Sequence, residues 1–347
     1  VFQNLFKVWA FALLLRLSWR QIKWWTVVLI GVCFFLATMF KQLAIMAPIF
    51  LMTVFSLYAL SEGSSWQTVL SVVFVVALIG ALGWFGTIAY FAATGRFKVF
   101  YEVNFLFNSY YGSLTLGNFL PRVIYSMGWQ HLRLVKCFHP MALVFALGLL
   151  RDLSKSRRNW MLLLAFLISA IVEVSMPGRA YGHYYQLLLV PLCIGSGWSV
   201  SGFDKNQWEN SKKISIALMV MLFAWLFWAE GPNYLLSTDE WAKRKYPWLD
   251  FPKVRADAKK WQSRLKNDEY IFQWGESTGY YYYGKGRLPG GIGYVSFLQY
   301  GPMKDRLSEQ LLRYLVAKPP EVIAIDRRRA FFGVVPQWIL HNYVPLD

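Results

Sequence analysis

Apolar residues gather along this chain in runs of membrane length rather than in the short alternations of a soluble core. The runs cover roughly residues 1–17, 24–40, 42–60, 68–92, 132–150, 159–177, 182–200 and 212–230. Each is close to the ~20 residues that a helix needs to cross the hydrocarbon of a bilayer. The pattern predicts an α-helical multi-pass membrane bundle of about eight segments over residues 1–230. Lys41 falls at a tight junction between the second and third runs. After about residue 231 the pattern changes. "FPKVRADAKKWQSRL" and "MKDRLSEQLLRYLVAKPP" space their apolar positions as amphipathic helices, and Pro319 and Pro320 stop the second. "EYIFQWG" and "EVIAIDR" read as buried strands, and "ESTGYYYYGKGRLPGG" as a short helix followed by turns. Strand–helix–strand order predicts a small α/β domain over 231–347 with a parallel pair.

Between the fourth and fifth runs, "GRFKVFYEVNFLFNSYYGSLTLGNFLPRVIYSMGWQHL" mixes aromatic and polar residues. It predicts one or two juxtamembrane helices near 95–131, lying in the interface plane with Trp and Tyr at headgroup depth. Ala77, Gly80, Gly83 and Gly86 recur at a spacing of three, as expected of close helix packing. The chain begins at Val1 within an apolar run, which sets the expectation that further protein precedes it.

Composition sharpens the reading. The chain is 56% hydrophobic and only 16% charged, with a net charge of +17. The basic residues are spread over many loops and match no nucleic-acid motif, so membrane anchoring explains them better than a DNA or RNA partner. Their placement also orients the bundle. Arg16, Arg20, Lys23, Arg151, Lys155, Arg157, Arg158, Lys205, Lys212 and Lys213 fall on one side, against Lys41 and Arg179 in the opposite short connections. The positive-inside rule puts the richer side in the cytoplasm. Lys41, the 93–131 connection and everything after about residue 231 are then expected outside a cytoplasmic membrane. Cys33, Cys137 and Cys193 show no disulfide or metal spacing. No acidic cluster has ligand spacing either, so no cofactor is expected and a divalent metal has no support.

Polar chemistry concentrates at the expected outer face. In "PGRAYGHYY", Pro177 and Gly178 end one helix; Arg179, Tyr181, His183 and Tyr184 open the next. A helix N-terminus favours an anion, Arg offers a bidentate fork for phosphate, and imidazole and phenol add donors. The same residues would also serve as an interfacial anchor. Lys41, between two apolar runs, either snorkels or meets an anion. Glu173 lies inside an apolar run near the outer end, where it pairs with Arg179 or His183, or lines the cleft and helps position an acceptor. Glu102, Asn108 and Tyr111 line a cleft on the outer connection or sit at the interface.

Four stretches carry a resemblance: "LIGVCFFLATMFKQLAIMAPIF", "NFLFNSYYG", "GRAYGHYYQLLLVPLCIGSG" and "YIFQWGESTGYYYYGKGRLPG" followed by "KPPEVIAID". Together they resemble the C-terminal majority of a GT-C type membrane glycosyltransferase, a relative of the dolichyl-phosphate-mannose–protein mannosyltransferases and of lipid A aminoarabinose transferase. The resemblance implies a sugar carried on a polyprenyl phosphate and transferred at the outer face to a lipid, glycan or protein acceptor. It implies that Lys41, Arg179, Tyr181, His183 and Tyr184 hold the donor phosphate. It places the catalytic acid in a loop expected before Val1, with Glu102 the candidate inside this chain. Two other readings of the same cations stay open: a transporter or lipid flippase, and a non-catalytic envelope-assembly subunit.

Overall fold

The computed structural model describes residues 2–112, 116–128, 136, 138–178, 181–204, 211–245, 250–266, 269–284, 288–293, 295–326 and 331–345. The chain divides into two compact units, one of residues 1–98 and 112–231, the other of residues 99–111 and 232–347.

Each of the eight apolar runs contains a helix. In chain order the helices are α1 (Phe2–Arg16), α2 (Trp24–Phe40), α3 (Met46–Ser61), α4 (Trp66–Ala93), α5 (Phe97–Tyr101), α6 (Phe107–Gly112), α7 (Leu116–Ser126), α8 (Phe138–Asp152), α9 (Arg157–Ser175), α10 (Gln186–Asp204) and α11 (Ser211–Tyr234). Among the described residues, four stretches are long and apolar enough to cross a membrane: Gln42–Ser61, Trp66–Ala93, Arg157–Ser175 and Lys213–Tyr234. Local chemistry sets the boundaries. Ser65 caps α4 by accepting the Thr68 N–H at 3.2 Å. Lys41 ends α2 in an extended conformation, φ −159° and ψ 117°, and a short 3-10 turn, Gln42–Ile45, then leads into α3.

Within the first unit, α1 packs on α2, α2 on α4, α3 on α9, and α8 and α9 on α10. Phe11, Leu14, Ile30, Leu51, Phe55, Leu163, Phe166 and Tyr185 form part of one buried core. Helices α8 and α10 approach through glycine. A Cβ on Gly148 would fall 1.7 Å from Ser199 Oγ, and one on Gly195 would fall 2.0 Å from Phe145. The glycine series on α4 is less uniform than expected. Gly83 abuts the Phe35 ring, but positions 80 and 86 leave open space where a Cβ would stand. The outward faces of α4 and α11 carry large apolar side chains; Phe85 is 68% exposed and Phe227 78%. Such surfaces suit lipid rather than water, and the chain is a membrane-embedded helical protein.

The second unit holds little sheet. Strands β1 (Ile271–Trp274) and β2 (Val322–Ile325) pair in parallel with Ile271 opposite Val322. Helices α12 (Thr238–Lys245) and α13 (Phe251–Gln262) precede β1; the crossover holds α14 (Gly279–Tyr283), α15 (Ser296–Gln299) and α16 (Lys304–Ala317), and α17 (Val334–Asn342) follows β2. Asp250 caps α13 by accepting the Lys253 N–H at 3.1 Å, with Pro252 in the first turn. Phe272, Trp274, Leu311, Leu315, Val335 and Ile339 form its core. Residues 99–111, expected with the membrane helices, pack in this unit: Phe107 meets Phe297 edge-on at 5.0 Å, and Glu102 pairs with Arg306.

Buried phenols in this unit predict alkaline lability. Burial pushes Tyr281 and Tyr343 up to about 12, helped at Tyr343 by the Glu321 charge. Burial, with a neighbouring Asp257, pushes Tyr280 up to about 12; Tyr270 is also raised by burial. An ordinary tyrosine titrates near ~10. Between those values the folded unit keeps protons that the unfolded chain releases. This contribution is whole below pH ~10 and is lost as pH rises toward about 12. Tyrosinate absorbance should rise in a late phase accompanied by loss of near-ultraviolet dichroism. Ionisation of all 20 tyrosines in one early step would contradict the burial.

Candidate functional site

One end of the first unit gathers the polar chemistry. It lies where α1 begins and where α2 and α9 end. The sharp backbone break at Lys41 frees its side chain from the helix, and its Nζ sits 3.9 Å from the centre of the Tyr184 ring. This is a close cation–π geometry. Tyr184 belongs to a 3-10 turn, Gly182–Tyr185, that opens α10. Three rings cluster at that turn: Tyr181 and His183 stack near-parallel at 5.7 Å, and His183 and Tyr184 are 4.4 Å apart with their planes tilted by 59°. Tyr185, next in sequence, turns inward and donates to the Ser126 carbonyl at 2.6 Å. This bond ties α10 to α7. The structure thus brings Lys41, Tyr181, His183 and Tyr184 together across 140 residues of chain. Arg179 lies outside the described residues, although Gly178, with φ +62°, precedes it directly.

Beneath this surface lies a fully buried ion pair. Lys7 Nζ, on α1, donates to Glu173 Oε2, on α9, at 2.9 Å, and neither side chain has accessible surface. The structure shows Lys7 as a partner of Glu173; of the two partners the sequence offered, Arg179 lies outside the described residues and His183 sits in the aromatic turn. Glu173 is buried rather than on an open cleft wall, and its Oε1 has no hydrogen-bond partner among the described residues. Lys41 stands close enough to be attracted by Glu173 and repelled by Lys7. A second missed residue is Arg122 of α7, which donates to the Met176 carbonyl at 2.8 Å and packs beside Gly178. Lys7 had a legible signal, a lone cation inside an apolar run. Arg122 was visible only as one of several basic residues on the outer connection.

An apolar groove of about 650 Å³ opens between α2, α3 and α4. Phe34, Ile49, Met52, Val76 and Trp84 help line it. Thr38 and Ile45, which bracket Lys41 in sequence, also belong to its wall. Trp84 Nε1 donates to Thr38 Oγ1 at 3.0 Å, which satisfies both polar groups in an otherwise greasy surface. Gly80 faces this space, which accounts for a small residue there without helix contact.

The remaining candidates lie in the second unit. Glu102 is bound by Arg306, and Asn108 donates to the Asn104 carbonyl at 2.8 Å. The Tyr111 side chain lies outside the described residues. Among the described residues, no three His, Cys, Asp or Glu side chains gather as a metal site would require. The fold and these clusters define a membrane-embedded helical protein with a cationic and aromatic end. Comparison with protein families, curated proteins and solved structures yields no match.

Proposed function

We propose that this chain belongs to a GT-C type glycosyltransferase that moves a sugar from a polyprenyl-phosphate donor to an acceptor on the outer face of a cytoplasmic membrane. The observation that carries this reading is Lys41. A cation is held half-buried on an aromatic ring, its sequence neighbours Thr38 and Ile45 line an apolar groove, and a lipid with one anionic head and a long apolar tail needs both features. Lys41 and Arg179 hold the phosphate, and Tyr181, His183 and Tyr184 orient it. In the reaction an acceptor oxygen attacks the anomeric carbon as the bond from that carbon to the phosphate oxygen breaks. The electron pair leaves on the phosphate, and a base takes the acceptor's proton. Fixed cations stabilise the charge that grows on the departing phosphate. Glu102 is poorly placed for the base because Arg306 occupies its carboxylate.

The proposal includes eight spans and an outer C-terminal unit, from the ten-to-two bias in short-loop Lys and Arg. In a variant otherwise free of cysteine, Lys266→Cys, at a position whose side chain is 84% exposed, should react with an impermeant thiol reagent in intact cells. Reaction only after lysis would reverse the orientation. The function itself is tested by native mass spectrometry of the purified chain. Polyprenyl phosphate should remain bound where the corresponding polyprenol dissociates, and Lys41→Ala should reduce the preference. Equal retention of alcohol and phosphate would refute the phosphate site.

A further inference from the structure

The second unit contains a cleft of about 800 Å³ at the tyrosine run after β1. Tyr281 forms its floor. The Tyr281 hydroxyl accepts the Gln273 N–H at 3.0 Å and donates to the Gln273 carbonyl at 3.3 Å, so the ring is locked to the strand. Tyr282, on the wall, is 80% exposed. Tyr283 stands across it with ring centres 5.0 Å apart and planes at 86°, which makes an aromatic corner. Phe251 and Thr278 add a further ring and an exposed hydroxyl. Gly291, with φ +77°, brings a bare stretch of backbone to the rim, and nothing lies within 4 Å of where its Cβ would stand. No charged side chain lines the cleft among the described residues.

We propose that this cleft binds a neutral carbohydrate. A pyranose presents a face of C–H groups and a rim of hydroxyls. Exposed tyrosine rings supply rigid apolar area for the face at small entropic cost. Phenols, the Thr278 hydroxyl and uncovered backbone supply partners for the rim. A charged ligand finds no opposite charge on the described walls. An acyl chain would leave the phenol and hydroxyl groups unused. The volume falls within the range of small-ligand sites and suits one or two sugar rings. The inference is independent of the phosphate site in the first unit.

The test uses the full chain in a detergent without a sugar headgroup. Saturation-transfer NMR is recorded with mannose, glucose, galactose and N-acetylglucosamine, each also as a disaccharide. At least one should receive saturation on its ring C–H protons. Tyr282→Ala should weaken that sugar's binding at least tenfold and Tyr282→Trp should retain it. Thr278→Val, a surface change, should weaken it less. Lys41→Ala should leave it intact, so failure here and failure of the donor site give different results. No transfer to any of these sugars, or transfer undiminished in Tyr282→Ala, would overturn the proposal.

Discussion

Replacing Lys7 by Met should destabilise the helical bundle by about 3–5 kcal/mol, because it leaves a buried carboxylate without its partner. Glu173 Oε2 would lose the 2.9 Å bond to Lys7, and Oε1 has no partner among the described residues. At ~2–4 °C per kcal/mol for a unit of this size, the melting point should fall by roughly 6–20 °C. Glu173→Gln should cost less, since the amide oxygen can still accept from the Lys7 ammonium. The double variant Lys7→Met with Glu173→Leu should recover most of the loss, because an apolar pair of similar volume often replaces a buried ion pair without penalty. The recovery separates pairing from simple loss of side-chain volume. Thermal unfolding in detergent, followed by tryptophan fluorescence, measures all four proteins. A single Lys7→Met variant as stable as the parent would show that the pair does not hold α1 against α9.

That ion pair also shows what the sequence could and could not convey. Helices α1–α4 and α8–α11 were legible because each is built from a long apolar run, and run length survives in one dimension. The parallel pairing of Ile271–Trp274 with Val322–Ile325 was legible because two short apolar runs flank one amphipathic helix. Lys7 and Glu173 are 166 residues apart, and nothing local to either names the other. Matching the lone cation of one apolar run with the lone acid of another would have been the way to find them. Glu102 and Arg306 are likewise 204 residues apart. Their pairing moves the 99–111 stretch into the second unit, although its aromatic composition suits a membrane interface equally well. The glycine spacing on α4 misled because period three describes a helix face, not what covers it. Only Gly83 meets a neighbour there, whereas Gly80 opens the groove.

The mouth of α10 was legible as chemistry before it was placed. Arg179, Tyr181, His183 and Tyr184 were grouped by adjacency, and Lys41 joined them only through shared topology. The fold adds the contact of Lys41 with Tyr184, 3.9 Å from ring centre. This gives Tyr184 a role distinct from its neighbours: its ring, not its hydroxyl, holds the cation. Tyr184→Phe should therefore keep phosphate binding, whereas Tyr184→Leu should release Lys41 and weaken it.

The second large effect is on Lys41 itself, and one titration decides the central claim. Polyprenyl phosphate is added to the detergent-solubilised chain and to folded Lys41→Ala, Arg179→Ala and double variants. A charge-assisted contact contributes about 1.5–3 kcal/mol. At ~1.4 kcal/mol per tenfold, each single change should weaken binding roughly 10- to 100-fold. The double should lose less than the sum of the two, since both cations serve one phosphate. Folded variants that bind polyprenyl phosphate as tightly as the parent would make Lys41 and Arg179 interfacial anchors and contradict the donor site.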